Sequence, residues 1–100
     1  MGAESRVRPS ADRGTVDVEL YGLPRLYAGS ESCRVAAGTL SEVLAALVVR
    51  FPGLSPALIQ GARPTELLRV ALGSGEMIEA ADHVLCDGTV IVLVSAQAGG

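Results

Sequence analysis

Few side chains in this sequence are equipped for chemistry. It holds one histidine, His83, and two cysteines, Cys33 and Cys86, and all eight of its basic residues are arginine. No Ser, Cys or carboxylate is spaced to act with His83, so it reads as a structural loop residue rather than half of a nucleophile–base couple. The cysteines fit neither C-x-x-C nor a Cys/His ligand set, and both read as small hydrophobes in a reducing compartment. No phosphate loop, paired carboxylates or metal motif is present, so no metal site is expected. What remains is the ending, VIVLVSAQAGG, in which an apolar strand runs to within a few residues of Gly99 and Gly100. Two glycines offer no side chain, only a main chain that adopts almost any φ/ψ and allows close approach.

Composition narrows the classes of function. One hundred residues, 49% hydrophobic and 19% charged, describe a single globular domain with its own core. No apolar run approaches the roughly 20 residues of a membrane span, and MGAESRVRPSADRG lacks the apolar middle of a signal peptide. A cytoplasmic protein without a membrane partner is expected. Arg6 breaks the myristoylation pattern that Gly2 would begin. The net charge of −3, scattered arginines and only Tyr21, Tyr27 and Phe51 as aromatics leave no footprint for nucleic acid. The absence of lysine means that no side-chain amine here can accept an isopeptide bond.

The elements that must position the ending follow from periodicity. Residues 1–14 show none and read as a mobile lead-in, with the domain spanning 15–94 and a flexible tail at 95–100. In TVDVELYG, Val16, Val18 and Leu20 alternate with Asp17, Glu19 and Tyr21, the period of a half-buried strand. Gly22, Pro24 and Gly29 interrupt, and ESCRVAA supplies a second strand, with Cys33 and Val35 on one face, paired antiparallel to the first. Thr39 and Glu42 form a capping box, followed by an apolar stripe of Leu40, Val43, Leu44, Leu47, Val48 and Phe51. Pro52 and Gly53 end that helix. A loop with one helical turn at 56–60 leads to a strand in LLRVAL, a turn at GSG and a short partner strand in EMIEA. Asp87-Gly88 turns the chain into VIVLV, whose apolar character on both faces predicts a central strand with cover or neighbours on either side. The fold class is α+β: strand, strand, helix, strand, short strand, strand, a mixed sheet packed on one main helix in the β-grasp arrangement.

On these residues the chain resembles the ubiquitin-like sulfur-carrier proteins, of the type of the molybdopterin synthase small subunit and the thiamine-pathway carrier. The resemblance spans Thr15 to Gly100. It rests on the first strand, Arg25 with Gly29, the run Asp82-His83, Leu85 and Asp87-Gly88, and the ungapped spacing from that turn to Gly99-Gly100. The sequence departs from the pattern at Thr89, at the aromatic-free VIVLV, at Ser95-Ala96 where prolines are common, and at Gly73.

The resemblance implies a protein cosubstrate rather than an autonomous enzyme. An E1-like adenylating enzyme would spend ATP to join the Gly100 carboxylate to AMP, and sulfur from a cysteine desulfurase or rhodanese type of donor would convert it to a thiocarboxylate. The sulfur would then pass to an acceptor, foremost the large subunit of molybdopterin synthase. The alternatives are a carrier for thiamine, cysteine or a specialised sulfur metabolite, or a ubiquitin-like protein modifier. No cofactor is held by the chain itself. The tail residues Ser95, Ala96, Gln97, Ala98 and Gly99 would thread the partner, and an apolar patch of Tyr21, Ile78 and Val94 would dock beside them. Tyr21 stands on the outward face of the first strand, which marks it independently of the resemblance. The acidic stretch Glu76, Glu79, Asp82 and Asp87 reads as a solvated rim able to face a basic partner, and Arg25 as a solvated loop residue.

Overall fold

The computed structural model describes residues 14–96. Four strands make one sheet in the order β2-β1-β8-β6. The first strand, β1 (Thr15–Leu20), pairs antiparallel with β2 (Ser32–Ala36) and parallel with β8 (Val90–Ser95), which pairs antiparallel with β6 (Leu68–Leu72) on its other side. The sheet is therefore mixed, and the last strand lies inside it, as the sequence predicts.

Register sorts the residues by face. Val18 lies opposite Cys33 on one side and Ile91 on the other, and Leu93 lies between Leu20 and Val70. Val16, Val18, Leu20, Val70, Ile91 and Leu93 are all no more than 2% exposed. The helix α2 (Leu40–Arg50) supplies Leu40, Val43, Leu44 and Leu47, each fully buried, to the same core. The alternation of period two and the stripe of period 3.6 thus meet face to face. Val49, outside the stripe, is 82% exposed.

The start of α2 is closed from two directions. Thr39 accepts from the Glu42 N–H at 3.2 Å while the Glu42 carboxylate accepts from the Thr39 N–H at 2.9 Å, the predicted capping box. The next two orphan donors, the N–H groups of Leu40 and Ser41, reach the carbonyls of His83 and Ala81 at 2.8 and 3.0 Å. His83 is therefore held in the fold through its main chain.

The structure departs from the sequence reading in four places. The interruption after β1 is a helix, α1 (Leu23–Ala28), with Pro24 in its first turn and Gly29 left-handed at φ 72°, its N–H bonded to the Arg25 carbonyl at 2.9 Å. EMIEA makes a single bridge, Met77 to Ala71, instead of a strand, because the chain peels away toward the start of α2. There β7 (Val84–Leu85) pairs with β3 (Gly38–Thr39). The predicted helical turn falls earlier, as a 3-10 turn at Pro52–Leu54, and a small hairpin of β4 (Ile59–Gln60) and β5 (Arg63–Pro64) follows. Gly61 and Ala62 at its tip both have φ of 60°, the mark of a primed two-residue turn.

The last boundary also moves: Ser95 belongs to β8 and pairs with Leu68, and the Ala96 N–H donates to the Leu67 carbonyl at 2.8 Å. Residues 1–13 of the lead-in assigned to 1–14, and the tail residues Gln97, Ala98, Gly99 and Gly100, lie outside the described residues; Gly14 lies inside them, its carbonyl accepting from the Ala37 N–H at 3.0 Å. Among the described residues no helix is long and apolar enough to cross a membrane.

Two stability measurements test this packing. Leu44→Ala empties a fully buried site and is expected to cost about 2–5 kcal/mol in urea unfolding, whereas Val49→Ala stays within about 0.5 kcal/mol. Ala62→Gly removes a Cβ from a left-handed position and is expected to stabilise by up to about 1 kcal/mol.

Candidate functional site: the root of the tail and the open sheet face

Two features converge where β8 ends. The first is the exit of the chain. The Ser95 hydroxyl accepts from the Leu23 N–H at 2.7 Å, so the first turn of α1 is capped by a residue 72 positions away. With Pro24 lacking an N–H, this bond and the one from Ala96 to Leu67 fix the main chain on both flanks of its last described residues.

The second feature is the outward face of the sheet. Val90, Val92 and Val94 alternate with the buried Ile91 and Leu93 and are only half-buried themselves. The strand has the neighbours on either side that its sequence predicts, β1 and β6; the helix covers its inner face, and its apolar outer side forms an open surface. Val92 stands between Glu19 of β1 and Ala71 of β6, and Val94 stands opposite Arg69.

Of the patch predicted beside the tail, Tyr21 and Val94 are brought together. The Tyr21 N–H donates to the Leu93 carbonyl at 2.9 Å, which carries the β1–β8 register one residue further and sets Tyr21 abreast of Val94. Tyr21 is 47% exposed. Ile78 does not join them: it is 3% exposed, its N–H bonded to the Val70 carbonyl at 2.9 Å, and its side chain belongs to the core. The neighbouring Met77, bridged to Ala71 and exposed, occupies the rim of the open face instead. Of the two apolar residues in EMIEA one had to point each way, and sequence alone did not say which. Leu67, exposed and carrying the carbonyl that holds Ala96, was also missed; it reads as the first residue of a strand.

Charges line this face without forming a catalytic set. Arg34 and Asp17 pair across β1 and β2 at 2.7 Å, and Arg25, on α1 rather than in a loop, pairs with Glu31 at 2.6 Å, both well exposed. Exposed pairs of this kind are screened by solvent and contribute little to stability. Among the described residues no group of three or more His, Cys, Asp or Glu side chains is placed to hold a metal. Cys86 is exposed and free, and Cys33 is half-buried, its thiol pushed up in pKa first by burial and eased by Arg50. Burial thus disfavours the Cys33 thiolate, the form a nucleophile needs.

The Tyr21 phenol donates to the Glu19 carboxylate at 2.9 Å. That bond, then the negative charge of Glu19, raises the phenol above the ordinary tyrosine range, because ionisation would break the bond and set two anions together. An NMR titration of the Tyr21 ring is expected to show the raised midpoint, and Glu19→Gln is expected to bring it down.

No protein-family model and no curated protein sequence matches the chain. Solved structures do. SAMP1 from Haloferax volcanii is 24% identical, covering 87% of this chain and 100% of its own, with a TM-score of 0.73. In the protein–protein complex of subunits 1 and 2 of molybdopterin-converting factor from Helicobacter pylori 26695, the matching chain is 26% identical, with 86% and 99% coverage and a TM-score of 0.59. Urm1 from Trypanosoma brucei is 18% identical, with 87% and 96% coverage and a TM-score of 0.58. The resemblance read from the sequence holds in three dimensions: this chain has the ubiquitin-like β-grasp fold of these small proteins.

Proposed function

We propose that the chain is a sulfur carrier whose Gly100 carboxylate is activated and converted to a thiocarboxylate. The observation that carries this reading is the site's layout: a central strand leads directly into the Gly-Gly ending, beside an open apolar face suited to a partner. The role is that of a cytoplasmic protein cosubstrate. The H. pylori neighbour is described as one subunit of a two-subunit complex, which favours the small-subunit role in molybdopterin synthase as the destination.

The chemistry follows from the weakness of a carboxylate as an electrophile. A carboxylate oxygen attacks the α-phosphorus of ATP on an adenylating enzyme, pyrophosphate leaves, and an acyl-adenylate forms. Hydrosulfide then attacks the carbonyl carbon, AMP departs with the carbon–oxygen bond's electrons, and a thiocarboxylate and a proton remain. With an enzyme persulfide as donor, the first product is an acyl disulfide, which a thiol reduces to the same thiocarboxylate. Glycine at the last two positions lets the main chain pass close to the nucleotide, where any Cβ would add bulk. The open face supplies the docking energy that offsets ordering of the tail.

A second reading, a ubiquitin-like modifier, is favoured by a different observation: other structural neighbours are described as small archaeal modifier proteins. The same acyl-adenylate would then end as an amide on a lysine of another protein. The lysine-free sequence makes the chain a donor in that chemistry and leaves none of its own side chains as an acceptor.

Incubation with an adenylating enzyme, ATP and sulfide, read by intact mass, is expected to replace one oxygen of the chain by sulfur. Removal of Gly99 and Gly100 is expected to abolish the change. Lysine-linked conjugates without a thiocarboxylate would favour the modifier, and no ATP-dependent change with either product would overturn both. Val92→Glu on the open face is expected to raise KM for the adenylating enzyme about tenfold or more while shifting unfolding by no more than about 1 kcal/mol.

A further inference from the structure

We propose that Ser95 is a positioning residue that pins the root of the tail, so that the reach toward the adenylating enzyme is counted from Ala96 rather than from Val94. The proposal rests on the carrier reading and concerns how the carboxylate is presented.

Three segments far apart in sequence meet at this root. Ser95, opposite Leu68, turns its hydroxyl to the inner side of the sheet and accepts the Leu23 N–H at 2.7 Å. Ala96 donates its N–H to Leu67 at 2.8 Å from the other flank. Gly22 completes the collar. It sits at φ 67°, and a Cβ built on it would run into the Ser95 hydroxyl, so the position is open to glycine on two counts, backbone conformation and space. The serine bond is also the first cap of α1, because Pro24 offers no N–H and Gly22 has no side chain to do it. Moving Ser95 therefore uncaps a helix as well as freeing the tail.

Covalent geometry turns this into a length. Four residues extend at most about 14 Å from Ala96, and six would extend about 21 Å from Val94. A pinned root thus limits the volume the carboxylate can search and requires the nucleotide to lie close to the docked face. Shorter tethers raise the effective concentration of their end as long as they still reach. Deleting Gln97 removes about 3.5 Å of that reach, and releasing Ser95 and Ala96 together returns up to about 7 Å.

The test combines these opposing changes, with ATP–pyrophosphate exchange on the source organism's adenylating enzyme as the functional readout. Ser95→Ala is expected to lower kcat about two- to fivefold with KM unchanged, and Ser95→Thr, which keeps the hydroxyl, to retain wild-type kcat. Deletion of Gln97 is expected to lower kcat at least about tenfold. Adding Ser95→Ala to that deletion is expected to recover part of the loss, since slack at the root replaces the missing residue. A merely structural serine predicts the reverse, a double variant worse than the deletion alone, and that result overturns the proposal. Amide hydrogen exchange of Ala96 gives an independent reading: protection in the wild type, and exchange about fivefold faster in Ser95→Ala. An unprotected Ala96 in the wild type, or no change on substitution, also overturns it. Failure of the wild type to support exchange of pyrophosphate would sink the carrier reading, while the Ala96 amide would still decide whether the root is pinned.

Discussion

The structure depends on one constraint: β8 is hydrogen-bonded on both sides, parallel to β1 and antiparallel to β6, so the chain's last described strand lies inside the sheet. Because successive side chains alternate, enclosing Ile91 and Leu93 commits Val90, Val92 and Val94 to the other face. A one-residue slip would exchange the two sets and expose the core. The same register that builds the hydrophobic interior therefore builds the apolar exterior, and it delivers the ending of the chain at the border between them.

That arrangement leaves very little for polar groups to do in the core. Among the described residues no polar or charged side chain is buried, and the Arg25–Glu31 and Arg34–Asp17 ion pairs are exposed. Polar contacts instead tie ends together. Asp87 accepts the Thr15 N–H at 2.9 Å, fastening the turn before β8 to the start of β1. Ser95 does the corresponding work at the opposite end of the same two strands. The parallel pair at the sheet's centre is thus buttoned at both ends by side chains from the turn before β8 and from its last residue, which compensates for a pairing that no tight turn can enforce.

The sequence was legible where one force dominated. β1 and α2 carried clean periodicities, and the capping box at Thr39 located the helix start to the residue. It was illegible where local cues conflicted or where tertiary partners decided. Gly22, Pro24 and Gly29 read as breakers, although proline in the first turn and glycine just past the last residue also bracket a helix; only six residues lay between to show a period. Ala62 at positive φ hid the β4–β5 turn, since a turn of that kind ordinarily announces itself with glycine or asparagine. The inward choice of Ile78 over Met77 was made by the bond to Val70, a contact no local pattern contains. At the candidate site, Tyr21 and Val94 came from the resemblance, with strand alternation marking Tyr21 alone as outward, and Val92 was missed because an unbroken apolar run looks the same whether covered on one face or two.

The parallel pairing of β1 with β8 joins the first described strand to the last, pairing Asp17 with Val90 and Leu20 with Leu93. During synthesis, β1 waits beside β2 with one edge and half its hydrophobic floor open until residues 90–95 leave the ribosome. The strand that closes this gap is also the last one described. A chain cut short before β8 would lack the strand that completes both the sheet and the core, so the body is whole only once its far end has been made.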